Sequence, residues 1–409
     1  MKIISGGYLL VCDKDFSIIK NGGAVFDEKI IEVGKSAELA AKYKNADILN
    51  LGKNSVIMPG LTNSHAHLEF SANIAALKYG DFMLWLKSVI SSREELQNRC
   101  SQDLIDGVLN DMLKSGVTAV GAISSFGLDL KPCVKTPMRV VYFVEAIGSN
   151  PAAIDALFED FKVRYYEAAA AKSGSFTPAV SIHSPYSTHP VLARHALKIA
   201  KDEDAVVSAH FMESLHERRW LDGGEGAMGE FMKDFNPRAK PMTTAKEFLE
   251  LFNGVKTLFT HAVHATDEEF EIIAEQKNAV THCPRSNRLL GTGAFDIKKA
   301  QKMGTAVLLG TDGLSSNISL NLWDEMRAAL FTHANYELND LAVLLLNSCT
   351  HEAARMLNLN KGRLEKGFDA DIVALELKES PQDISDIPLH TILQTTEAQK
   401  VYINGKEIK

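Results

Sequence analysis

Val56-Ile57-Met58-Pro59-Gly60-Leu61-Thr62-Asn63-Ser64-His65-Ala66-His67 is an apolar run that ends in two histidines one residue apart. On an extended strand alternate side chains share a face, so His65 and His67 project together from the strand end. Two imidazoles presented this way are half of a metal site. The design recurs downstream: His210 in AHFMES, His261 in FTHAVH and Asp312 in LLGTDGLSSN each sit at the end of an apolar, strand-like run. One ion gathers ligands from strand ends so far apart in sequence only where the strands converge. That architecture is a parallel barrel.

Apolar runs at 56–61, 117–123, 139–147, 178–182, 205–209, 255–260, 279–282 and 305–310 alternate with stretches such as 151–172 and 189–203, whose apolar residues recur at helical spacing. Eight strand–helix units predict an α/β fold, a (β/α)8 TIM barrel, with its site at the C-terminal strand ends where every candidate ligand falls. Residues 1–55 read instead as short β runs with Gly and Asn turns, and so do GFDADIVALEL and KVYINGKEI near the other end. The expected organisation is therefore a small β-sandwich domain formed by both termini, 1–56 plus 360–409, around a catalytic barrel at 57–359.

A hydrophobic fraction of 45% and a charged fraction of 23% suit a chain that buries a large core. The net charge of −8 argues against a surface that coats nucleic acid or an anionic membrane. Five scattered cysteines without a CxxC pair exclude a disulfide framework or zinc knuckle and fit a reduced, cytoplasmic protein. MKIISGGYLLVC lacks the basic start and small residue of a processed leader and reads as a first strand.

Three neutral imidazoles, His65, His67 and His210, with the Asp312 carboxylate suit one divalent metal, Zn²⁺ or Fe²⁺, with a position left for water. The sequence does not separate the two ions. Asp312 is placed both to ligate and to accept a proton from that water. Glu213, three residues past His210, is spaced to turn back over the water as general acid and base. Glu217 has the position of a first-turn glutamate that favours the helix dipole. His261 is placed to contact the same water or the substrate. His183, in HSPYS, is a substrate hydrogen-bond donor or a core histidine. With no lysine between Lys172 and Lys198 to bridge a second ion, a single metal is expected.

MPGLTNSHAHLE, HFMESLHE, FTHAVH, THCPRSNRLLG and LGTDGLSSN together resemble the amidohydrolase superfamily, in its branch of methylthioadenosine/S-adenosylhomocysteine and guanine deaminases and chlorohydrolases. Within that branch HLEFSANIAALKYGDFMLWLKSVI, KSGVTAVGAIS, HSPYS and TDGLSSNISLNLWDEMRA look most like the aminofutalosine deaminases of menaquinone biosynthesis. The resemblance implies a metal-dependent barrel with His65, His67, His210 and Asp312 as ligands, Glu213 as proton shuttle, and His261 orienting water or polarising the reacting centre. It implies hydrolytic deamination of a purine nucleoside, 6-amino-6-deoxyfutalosine to futalosine plus ammonia, with methylthioadenosine or adenosine as further substrates. A guanine or 8-oxoguanine deaminase, or a chlorohydrolase, is the alternative on the same scaffold. Nucleoside deaminases carry a glutamate nine residues after a Trp-Leu pair; Glu94 stands so after Trp85-Leu86 and is a ribose candidate, as is Glu145 at the end of the third strand. Glu94 is equally spaced for a solvated helix face. Phe70, Tyr79, Phe82 and Trp85 are candidates for an aromatic lid. Arg139, Arg218, Arg285 and Arg288 are candidates for the substrate carboxylate. A homodimer is the expected assembly, though oligomeric state is not readable from these residues.

Overall fold

The computed structural model describes residues 1–409. Eight strands form one all-parallel sheet in sequence order: Leu61–Ala66, Val117–Ser124, Arg139–Ala146, Phe176–Ile182, Val207–Phe211, Thr257–His261, Ala279–His282 and Ala306–Leu309. The last returns to the first, because the amides of Thr311 and Asp312 both donate to the His65 carbonyl at 3.1 Å. The (β/α)8 barrel is thus closed. Alternation assigns its faces: Ile123, Val141, Phe143, Leu258, Ala279 and Leu308 fill the lower interior, where Met356 and Leu357 plug it. The opposite faces of these strands pack on the surrounding helices.

Two sheets flank the barrel. One runs in the order Ile30–Lys35, Gly22–Phe26, Lys2–Ser5, Asp47–Asn50. The other runs Lys406–Glu407, Lys400–Ile403, Ile372–Glu376, Ser55–Pro59, Tyr8–Leu10, Ile18–Lys20, so both termini contribute. Ile4, Leu9, Phe26, Ile57, Ile372 and Tyr402 form a core between them.

The apolar run 56–61 is not one barrel strand. Ser55–Pro59 pairs with Ile372–Glu376 and Tyr8–Leu10 in the terminal sheet, and the barrel begins only at Leu61. Gly60 is the joint, and a Cβ there would lie 2.4 Å from the Thr118 side chain. The buried Lys361 ammonium clamps the joint, donating to Gly60 O and Thr62 Oγ1 at 2.8 Å and to Leu61 O at 3.3 Å. Burial pulls its pKa down to about 7. The C-terminal stretch is not wholly sandwich either: helix Ile387–Gln394 packs on Leu338–Ser348 and Leu322–Thr332. No helix is long and apolar enough to cross a membrane, and all five cysteines are buried free thiols.

Arg139, a candidate for the substrate carboxylate, starts the third barrel strand at the end away from the ligands. Its Nε and Nη2 donate to Asp371 at 2.9 and 3.1 Å, tying barrel to terminal sheet. Asp371 is fully buried and also accepts the Asn404 amide. Removing one member of such a pair strands the other. Arg139→Met should lower unfolding free energy by about 3 kcal/mol, and the double variant Arg139→Met/Asp371→Leu should recover most of it. The urea midpoints measure both; an unshifted single variant would show that the pair carries no stability.

Candidate metal centre

His65 and His67 lie on the interior face of the first barrel strand and its exit, and His210 on that of the fifth. Asp312 follows the eighth strand two residues past Gly310. All four are buried, and one donor atom from each lies within 4.8 Å of the others. His67 Nε2 and His210 Nε2 are 3.2 Å apart, and Asp312 Oδ1 is 3.5 Å from His67 Nε2 and 3.7 Å from His65 Nε2. Such separations are edges of a coordination polyhedron with metal–ligand bonds of about 2.1 Å. The His65 Nε2 atom is buried with no protein partner. The donor set fits a divalent ion.

Neighbours aim the lone pairs inward. His210 Nδ1–H donates to His183 O at 2.8 Å, and His65 Nδ1 pairs with Thr260 Oγ1 at 3.1 Å, which leaves Nε2 on each ring for the ion. Asp312 Oδ2 accepts Ser286 Oγ and Ser316 Oγ, both at 2.7 Å, so Oδ1 is the oxygen left for the centre. Burial, reinforced by the adjacent His65, lowers His67 to about 4, and burial likewise holds His210 well below its ordinary value. Neutral imidazoles lose no proton on binding a metal. Burial would raise the Asp312 carboxyl, but hydrogen bonding and the surrounding imidazoles outweigh it and hold it well below the usual range.

Glu213 and His261 stand beside the donors, with Glu213 Oε1 3.5 Å from His261 Nε2. Strand alternation alone would point His261 out of the barrel, since Thr260 points in. A left-handed backbone at His261 (φ 74°) and Ala262 (φ 47°) turns the ring inward. Met212 (φ 48°) does the same for Glu213. Glu217, expected as a dipole-favoured first-turn residue, is fully buried and accepts the amides of Met212 and Glu213 at 3.1 and 2.8 Å. It fixes the turn that presents Glu213. Burial, with Asp312 and Glu217 near, pushes the Glu213 carboxyl well above its ordinary value. His261 Nδ1 pairs with Asn287 Oδ1 at 2.9 Å, and burial lowers the ring to about 4.

The other candidates divide. Glu145 shares the interior face of Val141 and Phe143; its Oε2 accepts Ser125 Oγ at 2.6 Å, and its buried Oε1 has no protein partner. Glu145 and His183 each bring a ligand-type atom within 4.8 Å of His210. Since His210 Nδ1 is already bonded, this is an extension of the one centre. Trp85 is half-buried, its Nε1–H donating to Ser315 O at 2.9 Å, so the helix Phe82–Arg99 is tied to the loop after Asp312. Phe70 stands 5.7 Å from the His67 ring. Glu94 is exposed on that helix and makes no hydrogen bond or ion pair with the residues of the centre. Arg218 and Arg285 are likewise engaged elsewhere, Arg218 with Asp222 and Glu269, Arg285 with Asp324 and Glu325. Arg288 is exposed. Ser286 and Asn287 lie within THCPRSNRLLG but show no spacing signal of their own.

Residues 56–408 match the model of the amidohydrolase family. The chain is 44% identical over 391 residues to an aminodeoxyfutalosine deaminase of a Nitratiruptor species, covering 96% of both chains. It is 34% identical over 412 residues to an adenosine deaminase of Helicobacter pylori, covering 100% of this chain and 99% of that one. The solved structure of H. pylori aminofutalosine deaminase with methylthio-coformycin superposes with a TM-score of 0.95 at 32% identity, covering all of both chains.

The protein should bind one divalent ion per chain, and chelation should lower its melting temperature. Zinc at about 100 times its dissociation constant restores roughly 2.7 kcal/mol. Asp312→Asn and His65→Ala should each cut metal content measured by emission spectroscopy. Intact protein that takes up no zinc, with melting unmoved by it, would remove the centre.

Proposed function

This chain belongs to the amidohydrolase family, and on that footing we propose that it hydrolyses the exocyclic amine of a 6-aminopurine nucleoside in the cytoplasm. The substrate is 6-amino-6-deoxyfutalosine, giving futalosine and ammonia for menaquinone biosynthesis. The observation that carries the reading is the buried group Glu213, His261 and Asp312 at the His₃Asp donor set, in a chain similar along nearly its whole length to deaminases of this type.

His65, His67, His210 and Asp312 would hold the ion, Zn²⁺ by this reading. When bound it supplies a water whose pKa is brought from about 15.7 to near 7. Glu213, whose burial favours the protonated carboxyl, donates to purine N1 as the water oxygen adds to C6. Asp312 takes one proton of the water and returns it to the amine, which leaves as ammonia, while the hydroxyl proton remaining at C6 passes back to Glu213 as the carbonyl forms. His261, its tautomer set by Asn287, orients the water. Glu145 Oε1 and the His183 imidazole receive the ribose hydroxyls, and Phe70 and Trp85 flank the bound nucleoside.

Zinc-loaded protein should release ammonia from aminofutalosine with a higher kcat/KM than from methylthioadenosine, adenosine or guanine. Preference for guanine, or chloride release from a chlorotriazine, would move the activity to another branch of the family. Glu213→Gln should keep its metal and lose at least about 10²-fold in kcat. Full turnover by the metal-loaded variant would take Glu213 out of proton transfer.

A further inference from the structure

The substrate just proposed is long: its purine lies at the ion and an aryl carboxylate lies at the far end of its 5′ substituent. Three of the four arginines read from sequence as carboxylate partners are already paired with acids. The structure presents a different one. Arg93 lies with its guanidinium carbon 4.6 Å from the centroid of the Phe126 ring. Phe126 is 6.4 Å from Phe70, and Phe70 is 5.7 Å from the ligand His67. A continuous line of rings leads from the metal centre to one exposed guanidinium.

This line is built, not incidental. Glu69 is buried beside Phe70, and its carboxylate accepts the amides of Ser125 at 2.6 Å, Phe126 at 2.9 Å and Leu128 at 2.7 Å. The segment that carries Phe70 therefore also fixes Phe126. Arg93 comes from the helix Phe82–Arg99 and stands eleven residues past Phe82, three turns along the same face and roughly 16 Å further out. Phe82 marks the inner end of that face, packing 6.5 Å from Tyr186. The nearby acid Glu95 reaches toward Arg99 at 3.7 Å rather than toward Arg93. A guanidinium seated over an aromatic ring makes no hydrogen bond to it through its edge, which leaves N–H groups for a bidentate carboxylate.

We propose that Arg93, held on Phe126, binds the aryl carboxylate of the substrate, with Phe70 and Phe126 lining the path of its ring. The site takes a planar aromatic acid and explains how a purine deaminase discriminates this nucleoside from one with a small neutral 5′ group. The proposal rests on the substrate reading above.

The test compares kcat/KM for aminofutalosine, its carboxyl methyl ester and methylthioadenosine, in wild type, Arg93→Met, Arg93→Lys and Phe126→Leu. Wild type should favour the free acid over the ester. In Arg93→Met the aminofutalosine-to-methylthioadenosine ratio should fall at least about 10-fold, mainly through KM, the worth of one charge-assisted pair. Arg93→Lys should recover part of the loss, and Phe126→Leu should show a smaller fall in the same ratio. A wild type with no preference for aminofutalosine would sink the substrate reading itself. A wild type that prefers it, beside an Arg93→Met variant with an unchanged ratio, would overturn the assignment of Arg93 alone.

Discussion

The carbonyl of His65 is where the molecule closes on itself. It accepts the amides of Thr311 and Asp312, so the first and last barrel strands meet at the residues that supply two of the four donor groups. The close approach needs glycine: a Cβ at Gly310 would lie 3.0 Å from His65 Cβ, and one at Gly313 would lie 2.9 Å from His67 Cβ. An eight-stranded parallel sheet left open would carry two unpaired edges. Closing it and forming the metal seat are one event. Packing defects at this seam act on stability and on ligand spacing together.

Above the seam the chain accepts local strain to aim its chemistry. Met212, His261, Ala262 and Asp312 all have left-handed backbones at the exits of barrel strands, a conformation that costs non-glycine residues about 1–3 kcal/mol each. The surrounding polar groups hold them there. Glu217 accepts two amides of the Glu213 turn, Asn287 holds His261, and two serines hold Asp312. Each is buried and leaves the working atom of its neighbour free. The result is a set of donors and proton carriers positioned before any substrate arrives.

Much of this is legible in the sequence, and the rest is hidden for identifiable reasons. Seven of the eight barrel strands lie on the apolar runs that mark them, because strands buried on both faces read as continuous apolar stretches. The first is displaced, since Pro59-Gly60 joins two strands of different sheets without interrupting the hydrophobic run. The helix Ile387–Gln394 lies hidden within a region that reads as β. At the centre, His65, His67, His210 and Asp312 come together because strand ends and two-residue periodicity are visible in a sequence. Glu217, Ser286, Asn287 and Thr260 act through contacts between elements far apart in the chain, which leave no periodic trace. Glu94 follows a spacing rule, but its exposure is set by how the helix is turned, and one step along a helix turns a side chain by about 100°.

Gly60 joins a strand of the terminal sheet to the first strand of the barrel, and Ile57 pairs with Ala374 in that sheet. That partner lies more than 300 residues further along the chain, after all of the barrel strands. In the order of synthesis the barrel's strands and helices precede Ile372–Glu376, so the strand that leads to His65 and His67 has Tyr8–Leu10 on one edge early and gains its second neighbour only after the barrel's residues. Pairings this distant in sequence are slow to form. Until then one edge of an apolar strand is unpaired, a state open to aggregation. The last pairing of the terminal sheet thus joins residues that lie on either side of the barrel in sequence, so completing that sheet depends on the barrel's residues having been made first.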